Sequence, residues 1–251
     1  MQSAFNGLVI LLLMAALSGC SHFSSAPENS NTTSSGYSPL SQNLPNHAWH
    51  ALRFRMPRAE DGSSNWDMDL LLANEVIRPA LASQANDIPL WRFHRRSGAD
   101  AAGHQFSFIF YAETKTAEAL FGQVQNSILL PQLVDTGLLI TTLYQTDAYK
   151  NPTELAATSD KNWAPVIQRQ WPQFIMGASA TWLGLISELV PPADNSSEKD
   201  ETPVEQLLAR YGHANTELTQ LWQEQGQHAY LHHLSAIFGY QPLNFKARMA
   251  F

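Results

Sequence analysis

Residues 90–111, LWRFHRRSGADAAGHQFSFIFY, decide the fold class. Within 104–111, Phe106, Phe108 and Phe110 recur at every second position. That is the period of a strand with one apolar face. Within 90–96 the same alternation puts Arg92, His94 and Arg96 on one face. Between the two strands, 97–103 is turn-forming. Reading toward the amino end, 66–82 carries Leu70, Leu71, Ile77 and Leu81 at helical spacing, with Pro79 expected to kink the helix or end its regular part. Before it, 49–56 alternates Leu52, Phe54 and Met56 with Arg53 and Arg55. Reading toward the carboxyl end, Thr114 can cap a helix running to about residue 130 and stopped by Pro131. A last strand is expected at 137–144. The order β-α-β-β-α-β matches the ferredoxin-like split βαβ motif, so the expected class is α+β with a ferredoxin-like core. Many unrelated functions use that arrangement, and it supplies none by itself.

The rest of the chain reads as a helical C-terminal layer. Residues 163–190 contain Pro165, Pro172, Gly177 and Gly184, which predicts two helices or one kinked helix. An acidic loop, 191–203, precedes two further helices at 203–212 and 215–239, and then an extended tail to Phe251. The 251 residues include 15 Lys+Arg and 22 Asp+Glu, and 44% are hydrophobic. So much apolar material excludes wholesale disorder. The net charge of −7 argues against general nucleic-acid binding, which needs a basic footprint. One Cys excludes an internal disulfide framework and a Cys-cluster zinc site.

That Cys lies in the leader. Residues 7–17, GLVILLLMAAL, form an apolar run too short for a membrane span of roughly 20 residues but suited to a secretory signal. Leu17-Ser18-Gly19-Cys20 follows and resembles the lipobox of bacterial lipoproteins. The resemblance implies diacylglycerol on the Cys20 thiol, cleavage before Cys20 and acylation of the new amino group. Ser21 in place of Asp implies outer-membrane sorting. The six residues ahead of the apolar run lack Lys and Arg, a departure from the usual signal. Ser21 onward is rich in Ser, Asn, Thr and Pro. It reads as a tether of about 27 residues spanning roughly 25–30 Å as a flexible coil. The expected organisation is a signal at 1–19, lipidated Cys20 and tether at 20–46, an α+β domain at 47–150 and a helical region at 151–251 packed on it.

Arg53, Arg55, Arg92, His94 and Arg96 form the candidate ligand-binding set, together with His104. Helices covering one sheet face would leave these cations on the other, with Gln105, Ser107 or Thr141 adding neutral hydrogen bonds. Arginine forks suit carboxylates and phosphates. The bland reading pairs the same arginines with the chain's own acids, such as Asp67, Asp69 and the 194–201 loop. In 228–233, HAYLHH, His228 and His232 share a helix face. That pattern lacks the Glu of H-E-x-x-H and predicts no metal. No G-x-S-x-G elbow, Walker loop or glycine-rich dinucleotide turn occurs. Trp163, Trp171, Trp182 and Trp222 are read as packing residues.

Trp49, Leu70-Leu71, Pro79, Leu90-Trp91-Arg92-Phe93-His94-Arg95-Arg96 and His104-Gln105-Phe106-Ser107-Phe108 loosely resemble the opening of the thiopeptide-type peptide-modification domain that ends lantibiotic dehydratases. No catalytic residue carries over. The expectation is therefore a lipid-anchored periplasmic module that binds an envelope protein or an anionic ligand, without a cofactor and without catalysis. One alternative is an enzyme on an envelope substrate using Arg92, His94 and His104. Another is an assembly factor docking through its Trp-rich helices.

Overall fold

Four antiparallel strands form one sheet in the order β2-β3-β1-β4, seen in a computed structural model that describes residues 42–59, 61–98, 103–145, 147, 150–191 and 204–244. The strands are β1 (His47–Met56), β2 (Leu90–Ser97), β3 (His104–Glu113) and β4 (Thr141–Tyr144). The class is mixed, with helices and an antiparallel sheet. All described residues belong to one compact unit, Pro39–Phe251. The leader, Cys20, most of the tether, the acidic loop and the end of the tail lie outside the described residues.

Alternation along β3 builds the core. Phe106, Phe108 and Phe110 are fully buried on one face. They meet Leu52, Phe54 and Met56 of β1 and Phe93 of β2 in one cluster. Burying a Phe side chain contributes about 1.5–3 kcal/mol relative to exposure. The ring pairs Phe93–Phe106 at 5.2 Å and Phe108–Phe110 at 5.1 Å add aromatic contact. Helix α1 (67–83) covers this face with Leu70, Leu71, Leu72 and Ile77. Its middle, Leu72–Ile77, is a π-helical turn, and Arg78–Ser83 resumes α geometry with Pro79 in its first turn. In a regular helix Pro79 would clash with the carbonyl four residues back. The wider turn accommodates the ring where the sequence predicts a kink or an end.

Helix α2 is Thr114–Gln125, and a separate helix α3, Leu129–Asp135, follows. One helix to residue 130 was expected. Pro131 instead lies in the first turn of α3, where its missing N–H costs nothing. Thr114 does not cap α2: Glu113 holds the cap position and makes no side-chain bond. β4 starts four residues later than expected, because Gly137 turns at φ 73° and Leu139 folds back to α3 through its N–H to the Leu133 carbonyl at 2.9 Å.

The helical layer has fewer breaks than its glycines and prolines suggest. Helix α4, Pro165–Leu189, is single and contains Pro172. Helix α5 (204–237) is continuous through Gly212 and ends in a π-helical turn, Gln227–His232, and a last α turn, His233–Ile237. α4 runs along the β2 edge. Ser179 Oγ accepts the Phe93 N–H at 3.1 Å and donates to the Ile175 carbonyl at 2.8 Å, so an edge strand that would otherwise invite pairing is covered. Trp182 of α4 packs edge-on to Phe93 at 5.4 Å.

Candidate functional site

The sheet face away from the phenylalanine core carries the basic residues. Register sets Arg53 of β1 opposite Ser107 of β3, and Ser107 opposite His94 of β2. The next row on the same face is Arg55, Gln105 and Arg96, with Thr141 opposite Arg55. Arg92 lies one row toward the other end, opposite Ile109. Five of the six candidate ligand-binding side chains therefore share one face. Adjacent strands are about 4.8 Å apart, so β1 and β2 side chains face each other across roughly 10 Å.

One end of this face is closed. Trp49, Leu90, Tyr111 and Leu155 form a small second core. Its lid is the segment leading into the 3₁₀ turn Leu155–Thr158. Trp49 Nε1 donates to the Glu154 carbonyl at 3.0 Å, and Tyr111 Oη donates to the Thr153 carbonyl at 3.0 Å. Toward the other end, His94 and Leu143 are exposed, and Arg53, Arg55, Arg92, Arg96 and Gln105 are half-buried. Arg53 donates to Gln145 Oε1 at 3.3 Å. His94 is held below the ordinary imidazole value by partial desolvation first, then by the positive charges of Arg92 and Arg96. It therefore stays neutral where a free histidine begins to charge.

His104 does not join them. It sits on the core face, wholly buried, with Nε2 2.9 Å from Asp69 Oδ1. The same alternation that gathers the arginines assigns even and odd residues of β3 to opposite faces, which separates His104 from Arg92 and His94. An enzyme site built from those three is overturned by that geometry. Asp69 also accepts Arg95 Nε on Oδ2 at 2.7 Å. The Arg95 guanidinium lies over Trp66 at 4.8 Å and Trp182 at 5.1 Å, and Trp66 meets His104 edge-on at 5.0 Å. Sequence reasoning missed this cluster. The sequence offers Asp69 only as a partner for the sheet-face arginines, yet it is fully buried on the other face. The available signal was the pattern Trp66-x-x-Asp69 before an apolar helix, with Arg95 and His104 near the same end of their strands.

The acids named as alternative partners for the sheet-face arginines are engaged elsewhere. Asp69 pairs with Arg95 and His104, and Asp67 accepts from Asn215 Nδ2 at 2.8 Å. The 194–201 loop lies outside the described residues. His228 and His232 stack at 5.2 Å. Among the described residues no group of His, Cys, Asp and Glu is arranged to hold a metal ion.

Two surface cavities lie away from the basic face. One of about 440 Å³ is lined by Asp67, Thr136, Leu138, Glu205, Leu208 and Ala209. A smaller one, about 190 Å³, includes His47, Asp87, Glu113 and Lys115. No described helix is long and apolar enough to cross a membrane. Comparison with protein-family models, curated proteins and solved structures finds no match to this chain.

Proposed function

We propose that the protein is a periplasmic lipoprotein, held at the outer membrane through acylated Cys20, whose folded part is a non-catalytic binding module for an anionic ligand or an acidic envelope partner. The observation that supports this reading is the register of the sheet. Arg53, Ser107 and His94 fall in one row, Arg55, Gln105 and Arg96 in the next, and the fully buried acid Asp69 is committed to the opposite face. A shallow face rich in guanidinium groups fits recognition of carboxylates or phosphates better than it fits bond-breaking chemistry. The ferredoxin-like arrangement belongs to this proposal. An antiparallel order β2-β3-β1-β4, with helices following β1 and β3, is what that topology requires.

Crosslinking in envelope membranes followed by pull-down tests the reading. The wild-type chain should capture a partner, or retain an anionic ligand, that Arg92→Ala/Arg96→Ala loses while its circular dichroism is unchanged. Equal capture by both would end the basic-face assignment. For the anchor, Cys20→Ala should move the protein from the membrane to the soluble periplasmic fraction.

A second reading, assembly factor, has its own support. Ile237, Phe238 and Leu243 near the end of α5 are 79%, 68% and 77% exposed, and Val166, Ile167 and Phe174 are exposed on α4. Large exposed apolar patches mark docking surfaces. In that case Ile237→Glu/Phe238→Glu would abolish capture and Arg92→Ala/Arg96→Ala would not.

A further inference from the structure

Arg92 stands out within the basic face. Its side chain is half-buried beside Ile109, under the 3₁₀ turn Leu155–Thr158. Nη2 donates to the Thr158 carbonyl at 3.4 Å, a long bond to a neutral acceptor. Nε of Arg92 and Oγ1 of Thr158 are both buried, and neither has a protein partner among the described residues. No described carboxylate pairs with this guanidinium. Three described acids have cation partners elsewhere: Asp69 pairs with Arg95 and His104, Glu113 with Lys115, and Asp147 with Lys150.

A guanidinium taken partly out of water without a counter-ion is costly. Desolvation is the influence on Arg92, and it pushes the group below its ordinary value with no neighbouring anion to offset it. The surroundings add more positive charge. Arg96 shares its face of β2, and Arg53 lies across β3 with Gln145 as its partner. Arg92 Nε and the Thr158 hydroxyl are thus two unpartnered donors on adjacent elements, close to the guanidinium groups of the same face.

We propose that Arg92 and Thr158 form a phosphate-binding subsite. The Arg92 Nε–H and the Thr158 hydroxyl donate to phosphate oxygens, neutral His94 offers a ring N–H, and Arg53 flanks the remaining negative charge. The proposal rests on the anion-binding reading of the sheet face and names the group recognised there. Phosphate suits the site better than carboxylate for two reasons. A dianion balances several cations, and a tetrahedral group presents oxygens to donors that come from different directions, β2 below and the 3₁₀ turn above. A planar carboxylate satisfies a single fork.

The test uses the full-length chain in detergent micelles with ¹⁵N-labelled arginine, titrated with inorganic phosphate and, at matched ionic strength, with sodium acetate. The Arg92 Nε–H resonance, identified by its loss in Arg92→Lys, should shift saturably with phosphate. Acetate should bind at least tenfold more weakly. Thr158→Val should weaken phosphate binding about tenfold, and Thr158→Ser, which keeps the hydroxyl, should restore it. No saturable shift at Arg92, equal binding by Thr158→Val, or acetate as tight as phosphate would each overturn the subsite. If Arg53→Glu/Arg55→Glu removes a crosslinked partner while phosphate fails to bind, the face stands and the subsite falls. If phosphate binds and partner capture ignores Arg53→Glu/Arg55→Glu, the subsite stands and the partner role of the face falls.

Discussion

Asp69 and His104 hold each other in the dry interior, with Oδ1 2.9 Å from Nε2 and neither side chain exposed. Arg95 takes the other carboxylate oxygen, so one acid serves two partners on two strands. Removing one member of a buried ion pair costs about 3–5 kcal/mol, because the remaining charge is left without compensation. Asp69→Ala should therefore lower unfolding free energy by about that amount. Asp69→Asn keeps the shape and one acceptor oxygen and should cost less. Urea unfolding followed by tryptophan fluorescence checks both; a loss under 1 kcal/mol in Asp69→Ala would show that the cluster does not stabilise the fold.

His50 makes stability depend on pH. It is buried beneath the sheet, Nε2 donates to the Ala112 carbonyl at 3.2 Å, and Nδ1 accepts from Asn151 Nδ2 at 3.0 Å. Burial, the largest influence, holds it below 6.5. The unfolded chain then takes up the proton first as pH falls, so stability is full above 6.5 and declines from there toward the folded value. His94 acts in the same direction. His50→Gln, which has no proton to gain, should lose less stability than wild type between pH 7.5 and pH 5.5. Parallel losses in urea titrations at those two pH values would rule His50 out as a contributor.

Tyr211 ties α5 to the π-helical turn of α1. Its hydroxyl donates to Glu75 and accepts from Asn74 Nδ2 at 2.7 Å. The ring is fully buried. Desolvation first, then the Glu75 hydrogen bond, pushes the phenol far above its ordinary value. Tyr211→Phe leaves the Asn74 amide without its acceptor and should cost about 1–3 kcal/mol. It should also leave the tyrosinate absorbance of the native protein unchanged at about pH 11, just above the ordinary tyrosine range, because this hydroxyl is still protonated there. A drop in that absorbance on substitution would show that Tyr211 ionises normally.

Ser179 should matter beyond its size. Its hydroxyl is the acceptor for the Phe93 N–H on the β2 edge. Ser179→Ala leaves a buried donor unmet, which costs about 1–3 kcal/mol. Hydrogen exchange at the Phe93 amide should quicken more than at its strand neighbours. Uniform acceleration along β2 would instead indicate a general loss of stability.

The strands were legible because alternation is a local property. Leu52, Phe54, Met56 and Phe106, Phe108, Phe110 announce one buried face, and the same count puts Arg53, Arg55, Arg92, His94 and Arg96 on the other. Helix boundaries were less legible. Pro131 reads as a stop when its neighbours are unknown, yet it begins a helix that packs Leu130 and Leu133 into the core. Gly212 reads as a break, yet Tyr211 and Ala214 on either side are wholly buried, and their packing carries the helix through it.

What the sequence alone determined is the two-faced character of the strands, since it depends on residues two positions apart. Only the tertiary structure decided that His104 leaves the arginines for Asp69, that Arg95 and not Arg92 satisfies that acid, and that Thr158 comes down over Arg92. Those relationships join residues 26 to 66 positions apart. Which charge finds which partner at that distance is set by strand register and helix packing, and no local pattern encodes either.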